Sequence, residues 1–365
     1  MQTTHTLIIG GGISGLYAAW RLQQQGIPYL LLEAKSILGG RISSKPTIEN
    51  SALGVDLGPT WFWSHQSRMK GLLRELNVSC FEQYTAGDVL YQMRADQAPS
   101  RTEGAGAMQS YRVNGGMQTL ITALFDRLDS AAIKTTHAVS NIQKVGGQWN
   151  VSALHDGSLR IFQAEQLMLA VPPRMISSTL SPEKTLSADL ISALSKEQTW
   201  MSAQAKFVAV YKRPFWRKQG LAGQAFSQVG PMVEIHDASS APDAGHALFG
   251  FLGLPWAMRK QMSAQQLKDK CVAQMVQLFG QQAGEPDVSY LTDWATDRWV
   301  TTAQDRAESP RHAAFSIKQF AQELEALKLH LVASEFAQFE AGYLEGALMA
   351  VDMAIPQMDS QYKAL

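Results

Sequence analysis

Cysteine is scarce in this chain of 365 residues: only Cys80 and Cys271 occur, far apart and without a CxxC pair. This excludes a disulfide scaffold and a cysteine-based zinc site, and we expect no metal. Long hydrophobic runs are missing too, since no window of 18 residues is apolar throughout, so we expect no membrane span. The first residues lead into an apolar strand without a basic leader, which predicts a cytoplasmic protein without a signal peptide.

Charge of one sign is also lacking. The 32 Lys and Arg residues balance 32 Asp and Glu residues, and no run of five like charges occurs. A nucleic-acid-binding protein should show a basic excess or stripe, so we expect no nucleic-acid partner. Hydrophobic residues make up 45% and charged residues 18%, which favours a large buried core. At about 150 residues a domain, the length predicts two domains, and the sequence gives no indication of oligomeric state.

The N-terminus predicts a β-α-β unit. Thr6–Ile9 is a short apolar run typical of a buried strand, and a helical pattern follows from Ile13 to Gln25. A second apolar run, Tyr29–Glu33, predicts the next strand. A unit of this size at the start of a chain is typical of one half of a dinucleotide-binding domain.

A glycine-rich turn connects the first strand to the first helix. Gly10, Gly12 and Gly15 form a GxGxxG pattern in the strand–turn–helix context that gives this pattern its meaning. The first glycine permits the turn, the second lets a pyrophosphate approach the backbone, and the third lets helix and strand pack closely. Glu33 ends the second strand 18 residues beyond Gly15, where a carboxylate can accept hydrogen bonds from a ribose. The turn alone does not distinguish NAD from FAD.

The rest of the chain predicts mixed elements, with strands before residue 254 and helices on both sides of them. Strands are predicted at 137–145, 148–154, 160–163, 167–171, 204–211, 225–227, 232–235 and 247–254, and helices at 66–76, 117–128, 263–279 and 315–327. A late strand at 329–333 precedes a final helix from about Gly342. This order suggests two domains between which the chain passes more than once.

Several further segments resemble the flavin-containing amine oxidase family. They are Gly39-Gly40-Arg41, Val55-Asp56-Leu57-Gly58-Pro59-Thr60-Trp61, Arg112-Val113-Asn114-Gly115-Gly116, Val139-Ser140-Asn141-Ile142, Ala170-Val171-Pro172-Pro173, Ala333-Ser334-Glu335 and Gly342-Tyr343-Leu344-Glu345-Gly346. They occur in the family's order and cover both ends and the middle of the chain. The resemblance identifies a short member of the family. It implies an α/β plus α+β fold, with a Rossmann-like FAD-binding domain and an interleaved, smaller substrate domain on a mixed or antiparallel sheet with helices.

The resemblance also implies where the cofactor binds and how the domains divide. The FAD-binding domain is expected at 1–65, 113–198 and 295–365, and the substrate domain at 66–112 and 199–294. The residues expected to hold FAD are Gly10, Gly12, Ile13, Ser14, Gly15, Glu33, Ala34, Gly40, Arg41, Gly58, Pro59, Thr60, Val139, Trp299, Glu335, Gly342, Tyr343 and Leu344. No cysteine occurs in the stretch 294–304, where monoamine oxidases attach their flavin, so the FAD is expected to be non-covalent.

Two residues are expected at the reaction centre. Lys206 matches the family's active-site lysine, which holds a water near flavin N5, although a lysine early in an apolar strand is more often a surface residue. Tyr343 matches an aromatic residue that stands before the flavin, with ordinary packing as the alternative. Trp61 and Trp63 are predicted to line the substrate cavity or to pack in the core. Gln304 stands near the position of the second aromatic residue of the family's two-aromatic cage, so the cage is expected to be incomplete here.

The implied reaction is hydride transfer from the carbon bearing a neutral amine to the flavin. It gives an imine and, with dioxygen as acceptor, hydrogen peroxide; the substrate is expected to be a small amine or amino-acid-like molecule. A dehydrogenase or desaturase that does not use dioxygen, a non-catalytic flavin-binding partner protein and an NAD-dependent enzyme remain alternatives.

Overall fold

The computed structural model describes residues 1–47, 53–104 and 109–363. The strands are β1 (Gln2–Ile9), β2 (Tyr29–Leu32), β3 (Ser44–Pro46), β4 (Gly54–Asp56), β5 (Phe62–Trp63), β6 (Cys80–Glu82), β7 (Asp88–Gln92), β8 (Ser100–Glu103), β9 (Ser110–Val113), β10 (Ile133–Lys134), β11 (Ala138–Val145), β12 (Gln148–His155), β13 (Ser158–Leu169), β14 (Ala205–Val210), β15 (Leu221–Ser227), β16 (Met232–Asp237), β17 (Ala247–Leu252), β18 (Val288–Asp293) and β19 (Leu329–Leu331).

The α-helices are α1 (Ile13–Gln24), α2 (Ser67–Glu75), α3 (Gln118–Phe125), α4 (Pro173–Thr179), α5 (Ala188–Lys196), α6 (Phe215–Lys218), α7 (Trp256–Arg259), α8 (Ala264–Phe279), α9 (Ala303–Ala307), α10 (Ala321–Leu327) and α11 (Leu344–Lys363).

One sheet carries the dinucleotide-binding unit. Its order is β10-β2-β1-β13-β12-β11, and β19 pairs with β13. β1 pairs in parallel with β2 and β13, whereas β11, β12 and β13 form an antiparallel meander. β2 is buried at all four positions, as its continuous apolar sequence predicts for a covered parallel strand. The predicted Rossmann-like β-α-β unit is confirmed.

A second sheet lies beside the first in the order β18-β14-β17-β16-β15-β7-β8. Its pairs are antiparallel except β15 with β7. α8 packs on one face of it through Leu267, Cys271 and Met275, which belong to a hydrophobic cluster separate from that of the first sheet. The expected second, mostly antiparallel sheet with helices is thereby confirmed.

The structure corrects several element predictions. α4 begins at Pro173, soon after the strand predicted at 167–171, where no helix was predicted; proline suits the first turn of a helix, where its missing N–H is not needed. α5, β7 and β18 were not predicted, and β13 is one strand where two were expected. The predicted helix over 315–327 is a 3₁₀ turn, Ile317–Phe320, followed by α10. The final helix begins at Leu344, because Gly342 has φ +87°.

The predicted division into two domains stays a prediction. The hydrophobic cluster of the first sheet includes Met69, Leu72 and Leu73 of α2, a helix that the predicted division gives to the substrate domain. We propose that the first boundary lies after α2 and that the two sheets otherwise mark the two domains.

Candidate active site

The GxGxxG turn has the geometry that a dinucleotide needs. A Cβ added at Gly15 would lie 1.9 Å from the Gly10 carbonyl oxygen, so this glycine permits the close packing of turn and helix. A Cβ at Gly12 would meet nothing nearer than 3.8 Å, where it would make ordinary contacts with Gly39 and Gly40. Gly12 caps α1 without a side-chain hydrogen bond. The first N–H groups of α1 are therefore available to a phosphate at the positive end of the helix dipole.

Glu33 lies directly after β2 beside this turn. Its carboxylate accepts hydrogen bonds from the backbone N–H groups of Gly11, at 2.6 Å, and Lys35, at 2.8 Å. Burial raises the pKa of Glu33, while these two N–H groups and the Lys35 ammonium oppose the rise. Lys35 also forms an ion pair with Asp297. These contacts hold the carboxylate at a fixed place in the wall of a cavity. A carboxylate that accepts hydrogen bonds from ribose hydroxyls must be held in this way.

Arg41 connects the segments expected to lie along the cofactor. Its guanidinium donates to the carbonyl oxygen of Trp200 at 3.1 Å and to the hydroxyl of Ser334 at 3.1 Å. It also forms an ion pair with Glu335, whose side chain is fully buried, at 2.7 Å. The carboxylate of Glu335 therefore orients Arg41, and Arg41 in turn lies in the cavity wall.

One continuous cavity of about 890 Å³ brings most of the predicted site residues together. The predicted residues that line it are Gly10, Gly12, Ile13, Ser14, Glu33, Ala34, Gly40, Arg41, Gly58, Pro59, Thr60, Trp61, Trp63, Val139, Lys206, Trp299, Gly342, Tyr343 and Leu344. It extends from the glycine turn and Glu33 to Lys206 on the second sheet, so both sheets contribute to its wall.

Three predicted residues lie outside this lining. Gly15 serves the packing of the turn, and Glu335 lies behind Arg41. Gln304 is exposed on α9 and donates to Glu308 at 2.8 Å. The structure therefore does not place Gln304 where a substrate-lining residue would stand.

Lys206 is buried rather than on the surface, with 1% of its area exposed. Its ammonium donates to the Gly58 carbonyl oxygen at 3.1 Å and to the Thr60 hydroxyl, and it lies 3.9 Å from the centre of the Phe249 ring. Burial lowers the pKa of Lys206 to about 7, although the Asp56 carboxylate opposes this shift. The two acceptors of this nitrogen among the described residues are Gly58 and Thr60, and Lys206 also lines the cavity.

Tyr343 has aromatic partners that the sequence did not predict. Its ring meets the ring of Trp63 edge-on at 5.5 Å, and those of Trp200 and His312 lie 6.3 and 5.8 Å away. Trp200 also stacks on His312 at 3.9 Å. Trp200 lies in the turn after α5, and no motif marks it in the sequence. A partly aromatic enclosure around Tyr343 therefore exists without any contribution from position 304.

Two charged groups from the second sheet and the helix α7 beside it lie in the cavity wall, a position that the sequence did not predict for either of them. Arg259 and Glu234 line the cavity. Arg259 is buried and binds both carboxylate oxygens of Asp293, at 2.7 and 2.8 Å, and it donates to the carbonyl oxygens of Leu254 and Ala203. Its donors are thus committed to the protein. Arg94 is exposed and pairs with Asp96.

The residues present fit FAD. The cavity offers a phosphate-binding turn that a larger residue at Gly12 would fill, a buried acid near the adjacent strand and an apolar, aromatic end at Lys206 and Tyr343. Its size lies within the range of about 300–1,000 Å³ that is usual for small-molecule and cofactor sites. Fold and site together define a Rossmann-like, dinucleotide-binding protein.

Comparison with known families narrows this class. The family model described as "Flavin containing amine oxidoreductase" matches residues 80–350, and a Rossmann-like NAD(P)-binding model matches residues 8–76. The chain belongs to the flavin-containing amine oxidoreductases. It is therefore an enzyme of a flavin-dependent family, and the predicted FAD cofactor is confirmed.

Relatives of this chain include oxidases and a dehydrogenase. A probable flavin-containing monoamine oxidase A of Dictyostelium discoideum is 22% identical, with 94% of each chain covered. A putrescine oxidase of Kocuria rosea is 22% identical over 81% of this chain and 83% of its own length. An L-amino acid dehydrogenase of a Synechocystis strain is 22% identical over 95% of this chain and 93% of its own length.

Solved structures establish the same fold. A putrescine oxidase bound to putrescine superposes with a TM-score of 0.81 at 20% identity, covering 98% of this chain and 99% of the other. Cyclohexylamine oxidase from Brevibacterium oxydans IH-35A gives a TM-score of 0.82 at 17% identity, covering 99% of each chain. Among the described residues no helix is long and apolar enough to cross a membrane, and the cytoplasmic location stays a prediction.

Proposed function

We propose that this enzyme oxidises a small amine at the carbon bearing the nitrogen and passes the electrons to dioxygen, releasing hydrogen peroxide. The observation that carries the proposal is the single cavity that joins the glycine turn to Lys206 and Tyr343. Bound FAD supplies the hydride acceptor and the means of returning electrons to dioxygen. The protein binds the cofactor, orients the amine and controls which molecules reach the reacting end.

The cofactor is held without a covalent bond in this proposal. Neither cysteine contributes to the cavity: Cys80 is exposed on β6 and Cys271 is buried in α8. The first N–H groups of α1 would bind the pyrophosphate, Glu33 the ribose, and Arg41, oriented by Glu335, would lie along the cofactor. The remaining predicted contacts line the same cavity.

The reacting end favours an uncharged amine. The rings of Trp63, Trp200 and Tyr343 and the fully buried stem of Lys206 make this part of the cavity apolar, and a charged ammonium without a partner there costs free energy of desolvation. Every nitrogen of the Arg259 guanidinium donates to Asp293 or to a backbone oxygen, so Arg259 is a poor partner for a substrate carboxylate. These contacts support an amine over an amino acid as substrate.

Lys206 is proposed to act in the return of electrons to dioxygen. Its nitrogen reaches the cavity from the second sheet while Gly58 and Thr60 of the FAD side hold it in place. A positive charge and a bound water at this point would stabilise the negative charge that develops on oxygen as it is reduced.

The test uses purified holoenzyme and a panel of amines and amino acids. Anaerobic addition of a substrate should bleach the flavin absorbance, and admission of air should restore it with release of peroxide. A panel without any bleaching contradicts amine oxidation. Bleaching without peroxide, with turnover only on artificial acceptors, indicates the dehydrogenase alternative, for which one relative provides precedent. Lys206→Met should slow reoxidation more than reduction, and equal slowing of both contradicts the role of Lys206.

A further inference from the structure

A segment that follows β18 forms part of the cavity wall. We call residues 294–308 the crossing segment. Its residues that line the cavity include Trp299, Val300, Arg306 and Glu308. Glu33 and Lys35, just after β2 of the first sheet, line the same cavity. The crossing segment is therefore part of the enclosure of a cofactor bound beside the glycine turn.

The far end of the crossing segment is anchored inside the protein. Arg174 of α4 forms ion pairs with Asp305 and Glu308, each at 2.7 Å. The side chains of Arg174 and Asp305 are 2% and 0% exposed, and Arg174 also donates to the carbonyl oxygen of Ser195 at 3.0 Å. Separating a buried, multiply bonded pair of charges is costly. This end of the segment should therefore stay in place.

The near end is held by a more exposed ion pair. The Lys35 ammonium pairs with the Asp297 carboxylate, and their side chains are 21% and 16% exposed. Water and salt compete with a pair at this exposure more effectively than with a buried pair. The near end should therefore open before the end at Arg174.

The ion pair connects two locally ordered turns. The other carboxylate oxygen of Asp297 accepts from the backbone N–H of Trp299 at 2.9 Å, and the Asp297 carbonyl oxygen accepts from the N–H of Val300 at 3.1 Å. On the opposite side, the backbone N–H of Lys35 donates to the Glu33 carboxylate at 2.8 Å. Loss of the pair would thus separate the turn that carries Trp299 and Val300 from the turn that follows β2.

We propose that the Lys35–Asp297 ion pair fastens the crossing segment against bound FAD and sets the rate at which FAD is released. Lys35 acts through Asp297 rather than as a contact of the cofactor, so it is a positioning residue. The inference goes beyond amine oxidation, because it concerns the oxidised enzyme without substrate.

The experiment measures FAD release from oxidised holoenzyme in the absence of amine. Phosphodiesterase in the buffer cleaves released FAD to the more fluorescent FMN, which prevents rebinding and reports the release rate. The variants are Lys35→Met, Asp297→Asn, the double variant and Lys35→Arg. Methionine keeps the stem of the lysine, and asparagine keeps an oxygen that can accept from Trp299. Circular dichroism and urea midpoints check that each variant folds.

Each single variant should release FAD about fivefold faster than the wild type, as expected for loss of a partly exposed charge pair. The double variant should also release it about fivefold faster, rather than about 25-fold, because the same pair is lost only once. Lys35→Arg keeps the charge and should stay close to the wild type. The matched controls are Lys212→Met and Asp287→Asn, which break an ion pair outside the cavity lining and should leave the rate unchanged.

Three results would overturn the proposal. Unchanged release from the single variants shows that the pair does not retain FAD, and either variant decides this if the other fails to fold. Effects that multiply in the double variant show that Lys35 and Asp297 act independently. Release from Lys35→Arg as fast as from Lys35→Met contradicts a role for the charge. All three leave the proposed amine oxidation intact, whereas an amine panel without bleaching contradicts the oxidation and leaves the role of the ion pair intact.

Discussion

Lys206 should make the free energy of unfolding rise with pH above about 7, and Lys206→Met should remove this rise. Burial lowers its pKa from 10.5 to about 7 in the folded state. Between these values the unfolded chain holds a proton that the folded chain does not, so the free energy of unfolding rises with pH across this window. Below pH 7 both states are protonated, and the cost of burying the charge is present in full.

The size of this effect follows from the two pKa values. From pH 7 to pH 9 the wild type should gain about 2 kcal/mol of unfolding free energy from this group, on the basis of 1.36 kcal/mol for each pKa unit. Lys206→Met has no group to titrate and keeps an apolar stem of similar length, so it lacks this gain. Other titrating groups contribute equally to both proteins and cancel in the difference.

The assay is urea unfolding of oxidised holoenzyme, followed by circular dichroism at pH 7, 8 and 9 with the same free FAD for both proteins. The stability difference between Lys206→Met and wild type should favour the variant most at pH 7 and shrink steadily to pH 9. A difference that stays constant within about 0.5 kcal/mol over this range refutes a lowered pKa for Lys206.

Four further substitutions test the cofactor and substrate ends of the cavity. Gly12→Ala should fold normally yet retain FAD poorly, whereas Gly15→Ala should lose about 1–3 kcal/mol of stability because its Cβ meets backbone; FAD release and urea midpoints distinguish the two. Glu335→Gln should free Arg41 from its buried partner and cost about 2 kcal/mol of unfolding free energy together with faster FAD release, measured by flavin fluorescence. Trp200→Leu should weaken amine binding about fivefold in anaerobic titration, with little change in the limiting rate of flavin reduction.

The local chemistry of the first strand, turn and helix was predictable because each glycine there has a steric requirement. Gly15 must lack a side chain so that α1 can approach the turn, and Gly10 must lack one because its φ is +107° and a Cβ there would lie 2.7 Å from the Ala170 carbonyl oxygen. Such requirements appear directly in the spacing of the residues. The apolar run of β2 predicted its position equally well. A strand covered on both faces is apolar throughout rather than alternating between apolar and polar residues, and β2 is buried at all four positions.

The substrate end was less predictable because its residues meet through strand pairing over long sequence distances. Glu234 and Lys206 line the same cavity because β17 pairs with both of their strands, and nothing in the local sequence of β16 indicates this. Trp200 approaches Tyr343 from a turn more than a hundred residues earlier. The near-complete burial of Lys206, with 1% of its area exposed, likewise involves a contact with the distant Gly58, which no periodicity of its own strand indicates.

The ion pair between Arg259 and Asp293 has a consequence for how this scaffold could diversify. The Arg259 guanidinium already lies in the wall of the cavity, where the Asp293 carboxylate and two backbone oxygens occupy its N–H groups. Asp293→Ser would free the N–H groups that Arg259 now donates to this carboxylate, and the existing guanidinium could then bind an anion. Substitution of Asp293 is then one route by which a cavity of this kind could come to bind an acid-bearing amine.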